Sequence, residues 1–87
     1  MKSPESQHNS FDENFQKVKA ELIKRLEEIV TDPNSKYDIP VYVYEDILKG
    51  KQVMLSMPLY EIVNQIGSDL NISHQQIVGI RREFFIE

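Results

Sequence analysis

The fold class predicted by this sequence is mainly α, and three observations predict it. Apolar residues recur at steps of three and four across residues 11 to 31 and again from Pro58 onward. Pro33, Pro40, Gly50 and Pro58 punctuate the chain between those stretches. Only the segment from Gln52 to Met57 alternates polar and apolar residues, and only in part, so one short strand near 52–57 is the most that is expected. At 87 residues with 40% apolar content the chain suits one domain. A core of that size is marginal alone, so self-association is expected.

Residues 1 to 10 combine Ser, Pro, Gln, His and Asn without apolar periodicity and read as a disordered tail. Residues 11–87 read as a single helical domain. Ser10 suits the N-cap of a first helix, with Glu13 three positions on as in a capping box. Phe11, Phe15, Val18, Leu22, Leu26 and Ile29 follow on one amphipathic face, to about Thr31. Asp32-Pro33-Asn34-Ser35 then makes a turn, because proline cannot continue a helix and Asp and Asn bond their own backbone.

The segment 41–49 has two readings. Val41-Tyr42-Val43-Tyr44 has strand propensity, while Pro40 and Gly50 bracket the segment as the first residue and end-cap of a helix. The helix is favoured, near residues 40–49, with Tyr44, Ile47 and Leu48 facing the core. From Pro58 onward two helices meet at a short turn. Ile62, Val63, Ile66 and Leu70 line the first, and Ile77, Ile80 and Phe84 line the second.

The chain has no cysteine, so it has neither disulfides nor thiolate metal sites, and His8 and His74 are too few for a metal centre. No metal or cofactor is expected. The N-terminus lacks an apolar signal core, and no stretch approaches the roughly 20 apolar residues that span a bilayer. A soluble protein without a membrane partner, in a reducing cytoplasmic setting, is expected. The net charge of −4 weighs against a nucleic-acid partner, since Lys and Arg supply most non-specific affinity for phosphate. Residues 1–44 hold six basic and eight acidic side chains and residues 45–87 hold four and six, so neither half is basic.

Residues 63–82, VNQIGSDLNISHQQIVGIRR, nevertheless carry a positional pattern. Ile66, Leu70, Ile72, Ile77 and Ile80 sit where two helices crossing through a short turn must share a small core. Gly67 stands where the second helix crosses the first, and its cost of roughly 1 kcal/mol against alanine inside a helix points to a packing need. Asn71 stands where the turn takes a left-handed conformation, and Ser73 where the second helix needs an N-cap. This pattern resembles the helix-turn-helix of bacterial and phage repressors and activators, over about a quarter of the chain. A fold of N-terminal amphipathic helix plus C-terminal helix-turn-helix is thereby implied. The 52–57 strand would match winged-helix relatives, although the residues after the second helix leave no room for a full wing.

The resemblance implies a small, sequence-specific binder of double-stranded DNA, a transcriptional regulator or a plasmid or phage DNA-maintenance factor, whose second helix, 73–85, enters the major groove. Ser73, His74, Gln75, Gln76, Val78, Gly79 and Arg82 are then the residues presented to base edges or backbone, with Gln75 first for base readout because glutamine pairs bidentately with adenine, and with Ser73 and the amides at the helix start suited to phosphate. Arg81, Arg82, Lys49 and Lys51 are the candidates for phosphate. The plainer reading of the same residues is an ordinary helical hairpin whose arginines suit the helix dipole. A homodimer through Phe11, Phe15, Val18, Leu22, Leu26 and Ile29 would set two such helices about one DNA turn apart, while the plainer reading of the same stripe is a helix packed on its own domain.

The segment from Gln52 to Ile80 also resembles ribbon-helix-helix repressors, in which Gln52, Met54 and Ser56 would face DNA. The interval from Pro58 to Ser73 is about two residues short for that family. The alternative without DNA is a protein-interaction module, an adaptor or anti-repressor, acting through helix 11–31. An enzyme is not expected: the adjacent pairs Glu27-Glu28 and Glu45-Asp46 point apart on a helix and make poor acid–base partners.

Overall fold

The computed structural model describes residues 10–87. The expected tail lies outside the described residues except for Ser10, which is the N-cap of α1 (Phe11–Thr31). Ser10 Oγ accepts a hydrogen bond from the Glu13 amide at 3.1 Å, and Asp12 and Glu13 place negative charge against the positive end of the helix dipole. The helix buries the stripe that its periodicity marks, with Val18, Leu22 and Leu26 fully inside. At its other end the Asn34 amide donates to Asp32 Oδ1 at 2.9 Å, the side-chain turn expected of these residue types.

The ambiguous segment is helical, α2 (Val41–Leu48). Pro40 is its N-cap rather than its first residue, and Gly50 beyond its end takes φ +83°, where a side chain is strained. The core-facing residues of α2 need one correction. Val43 and Ile47 are buried one turn apart and Tyr44 is half-buried, but Leu48 is 51% exposed because it lies about 100° round the helix from Ile47.

The short strand is β1 (Val53–Met54), and its partner was not expected from the sequence. After α3 (Met57–Asp69) and α4 (His74–Phe84), the chain leaves helical geometry at Phe85, and β2 (Phe85–Ile86) pairs in parallel with β1. Val53 faces Phe85 and Met54 faces Ile86, and the Leu55 amide donates to the Ile86 carbonyl at 3.0 Å. Val53 and Phe85 point into the core while Met54 and Ile86 point out, the alternation of a half-covered sheet. The second helix therefore ends at Phe84 rather than at residue 85. The fold is mainly α with a two-stranded sheet.

α1 packs against α2, α3 and α4, so one continuous apolar cluster joins Leu22 and Leu26 to Ile47, Leu59, Ile66 and Ile80. No helix among the described residues is long and apolar enough to cross a membrane.

Candidate nucleic-acid interface

The connection between α3 and α4 is built by three residues. Asn71 takes φ 61°, the left-handed region that Asn tolerates better than other side chains. The Asn71 amide donates to the Ser68 carbonyl at 3.2 Å and the Ile72 amide reaches back to the Gly67 carbonyl at 2.9 Å. Together these two bonds make the Schellman arrangement that satisfies the last carbonyls of a helix. Ser73 then caps α4, its Oγ accepting from the Gln76 amide at 3.3 Å.

Gly67 fixes how closely the helices meet. A Cβ placed there would lie 2.4 Å from Ile77 Cγ1 and 2.8 Å from its Cδ1, well inside van der Waals contact. Ile66, Ile72, Ile77 and Ile80 are buried around this crossing and Leu70 is half-buried, so the apolar positions expected to form the small core do form it.

α4 presents different residues on its four sides. Ile77, Ile80 and Phe84 face the core. The flank toward α1 carries Gln76, whose Oε1 accepts from Asn14 Nδ2, and Gly79, where an added Cβ would lie 3.0 Å from the Phe11 ring. The flank toward α3 carries Arg81, whose guanidinium lies 4.7 Å from the Tyr60 ring centre. His74, Val78 and Arg82 follow at successive steps of four on the remaining side, with Gln75 beside them. His74, Gln75 and Arg82 are exposed there and Val78 is half-buried, as Ser73 is exposed at the helix start.

Three of the expected DNA contacts therefore stand differently. Gln76 and Gly79 are engaged by α1. Arg81 is 8% exposed: its Nη1 donates to Asn64 Oδ1 at 3.5 Å, and its Nε, 3.5 Å from the Glu87 carboxylate, has no hydrogen-bond partner among the described residues. Held in this way, Arg81 is packed between α3 and α4. Val78 offers only an apolar contact. The outward set is reduced to Ser73, His74, Gln75, Val78 and Arg82. Lys49 and Lys51 are exposed beyond α2. Gln52 Nε2 donates to the carbonyls of Arg82 and Glu83, both at 3.2 Å, which ties the 50–52 turn to the last turn of α4 and brings Lys51 to the Arg82 end of that helix.

The expected dimer face is also corrected. Val18, Leu22 and Leu26 are 0% exposed within one chain, and Phe15 stacks on Phe84 with centroids 4.9 Å apart. Ile29 is half-buried, and Phe11 lies over Gly79 but stays 39% exposed, so the middle of the stripe is occupied by the domain's own α2, α3 and α4 while its first residue is not. The intrachain pairing of β1 leaves Met54 on the outer face of a sheet already formed, at odds with the ribbon reading of Gln52, Met54 and Ser56.

Sequence reasoning missed two supporting residues, Asn14 and Asn64, and the role of a third, Gln52. Asn14 is buried in the α1 stripe, and a polar residue at a stripe position was the signal that would have shown it. Asn64 and Gln52 carry no local mark, because their partners are distant in the chain. Elsewhere Arg25 on α1 bonds Asp69 at 2.7 Å and Glu21 at 3.1 Å. The Asp69 bond raises the guanidinium pKa above its ordinary value against an opposing effect of burial, with Glu21 adding to the rise. Among the described residues no three His, Cys, Asp or Glu side chains gather as metal ligands would. No protein-family model matches the chain, and neither the curated proteins nor the solved structures contain a match to it.

Proposed function

We propose that this chain is a non-enzymatic DNA-binding protein that reads the major groove of a duplex with the outer side of α4. The observation that carries this reading is the α3–α4 crossing: glycine under Ile77, left-handed Asn71 and capped Ser73 combine with an outward polar face on the second helix. Gln75 offers a bidentate partner for adenine, a contact worth about 1–3 kcal/mol of discrimination. Val78 suits the methyl group of thymine, and the His74 and Gln75 amides at the start of α4 suit phosphate. Arg82, Lys49 and Lys51 are the phosphate contacts. Self-association, with the α1 stripe occupied, falls to the exposed apolar side chains of the sheet and of α2.

A surface with so few cations neutralises roughly three phosphates, so log Kd should rise with log salt at a slope of about 3. The test is binding to random-sequence duplex at about 50 mM salt, where screening leaves phosphate contacts intact. Wild type is compared with a Gln75→Ala, Arg82→Ala double variant whose folding is checked by circular dichroism. The reading expects wild-type binding and a weaker, folded variant. Absence of wild-type binding, or a slope that implies ten or more phosphates, contradicts it.

A second reading rests on a different observation. Met54 and Met57 are 68% and 69% exposed, and Val41, Tyr42, Leu48 and Ile86 are exposed as well. Apolar side chains left outside in this number fit a protein-interaction module, acting through α2 and the sheet rather than through α1.

A further inference from the structure

A partly enclosed cavity of about 230 Å³ lies where α1, the end of α2 and the last turn of α4 meet. Phe15, Ile47 and Phe84 supply the apolar part of its lining. The two aromatic rings are stacked within 10° of parallel, and Ile47 and Phe84 are buried, so this part is fixed by the core beneath it. Its rim is charged: Lys19 comes from α1, Lys51 from the turn after α2, and Glu83 from α4. None of the three takes part in the ion pairs formed among the described residues. Gly50 stands at the mouth in a left-handed conformation, with nothing within 4 Å of where its Cβ would be, which leaves that side open.

Each part restricts the ligand. Two ammonium groups and one carboxylate give the rim a net charge of +1 in a chain of net charge −4. That balance attracts a single negative charge, while Glu83 opposes a polyanion such as a nucleotide phosphate chain. The apolar part of the lining rewards an apolar body and gives little to a hydrated inorganic ion. Apolar cavities of about 150 Å³ take a benzene ring, so this one has room for a ring and a short chain.

We propose that the cavity binds a small monocarboxylate with an aromatic or branched apolar body, ring against Phe15 and Phe84 and carboxylate between Lys19 and Lys51. The inference does not rest on the nucleic-acid reading, although Lys51 serves in both. It is tested with 3-phenylpropionate as the probe, titrated into the ¹⁵N-labelled full chain while amide signals are followed. The neutral amide and the amine of the same skeleton serve as controls. Saturable shifts at Gly50, Lys51 and Glu83 are expected, with a Kd in about the millimolar range for a ligand of this size. The amide and the amine should bind at least about tenfold more weakly, and a Lys19→Gln, Lys51→Gln variant should lose a similar factor with its circular dichroism unchanged. No saturable shift, shifts centred elsewhere, or an amide that binds as well as the acid overturns the proposal.

Discussion

Gly67→Ala isolates the contact on which the α3–α4 arrangement depends. In an ordinary helix interior this substitution stabilises by about 1 kcal/mol, because alanine restricts the unfolded chain and favours the helix. Here the new methyl would sit 2.4 Å from Ile77 Cγ1, against the roughly 3.5–4.0 Å at which carbon atoms rest. Ile77 is 3% exposed, and the clashing atom is the one next to its Cβ, so no simple rotation of a free chain end relieves it. Overpacking of this kind costs about 1–3 kcal/mol, and an overlap above 1 Å places the cost at the upper end. With the propensity gain subtracted, a net loss of about 2 kcal/mol is expected. In a domain of this size that lowers Tm by roughly 8–16 °C. Urea denaturation followed by circular dichroism reads the change, with the Gly67→Ala, Ile77→Ala pair as the control. Since Ile77→Ala removes the clashing atoms, the pair should lose less stability than the two single changes summed. A Gly67→Ala chain as stable as wild type, or more so, would show that the helices do not meet at this point and would refute the argument.

The neighbouring arginines should separate by role. Arg81→Ala removes a buried side chain between Tyr60 and Asn64 and should cost about 1–3 kcal/mol in urea denaturation, whereas exposed Arg82→Ala should stay within about 0.5 kcal/mol. Equal losses for the two would show that Arg81 is not held as described. At the turn, Asn71→Gly should leave stability nearly unchanged or raise it, and Asn71→Val should lower it by about 1–2 kcal/mol, since only the β-branched residue is forced into the left-handed region. Thermal melts of the two variants check the order, and a valine variant that melts with the glycine variant would contradict the assigned φ.

The α3–α4 connection was legible because its determinants are local. Gly67, Asn71 and Ser73 each answer a requirement set within a few residues, and all three are found in the conformations that those requirements demand. The stripe of α1 was legible as a buried face, but periodicity says nothing of what buries it. Val18, Leu22 and Leu26 meet the chain's own helices, where an identical partner helix was expected. Arg81 and Arg82 are one residue apart and alike in type, and their separation into packing and surface roles depends on α3, which supplies Tyr60 and Asn64. Leu48 and Phe85 fail for a related reason. A turn of helix or a two-residue strand has too little pattern of its own, so tertiary contact decides its orientation. The apolar part of the cavity lining joins Phe15, Ile47 and Phe84 from three elements, and no sequence window contains them together.

The most direct test of the central claim is to titrate random-sequence duplex DNA into the ¹⁵N-labelled chain at about 50 mM salt and map the amide signals that move. The account predicts shifts concentrated at Ser73, His74, Gln75, Val78 and Arg82 and at Lys49 and Lys51, with the buried flank at Arg81 and the body of α1 little changed. A chain whose signals do not move, or move chiefly at Met54, Met57 and the exposed side of α2, would contradict major-groove reading by α4.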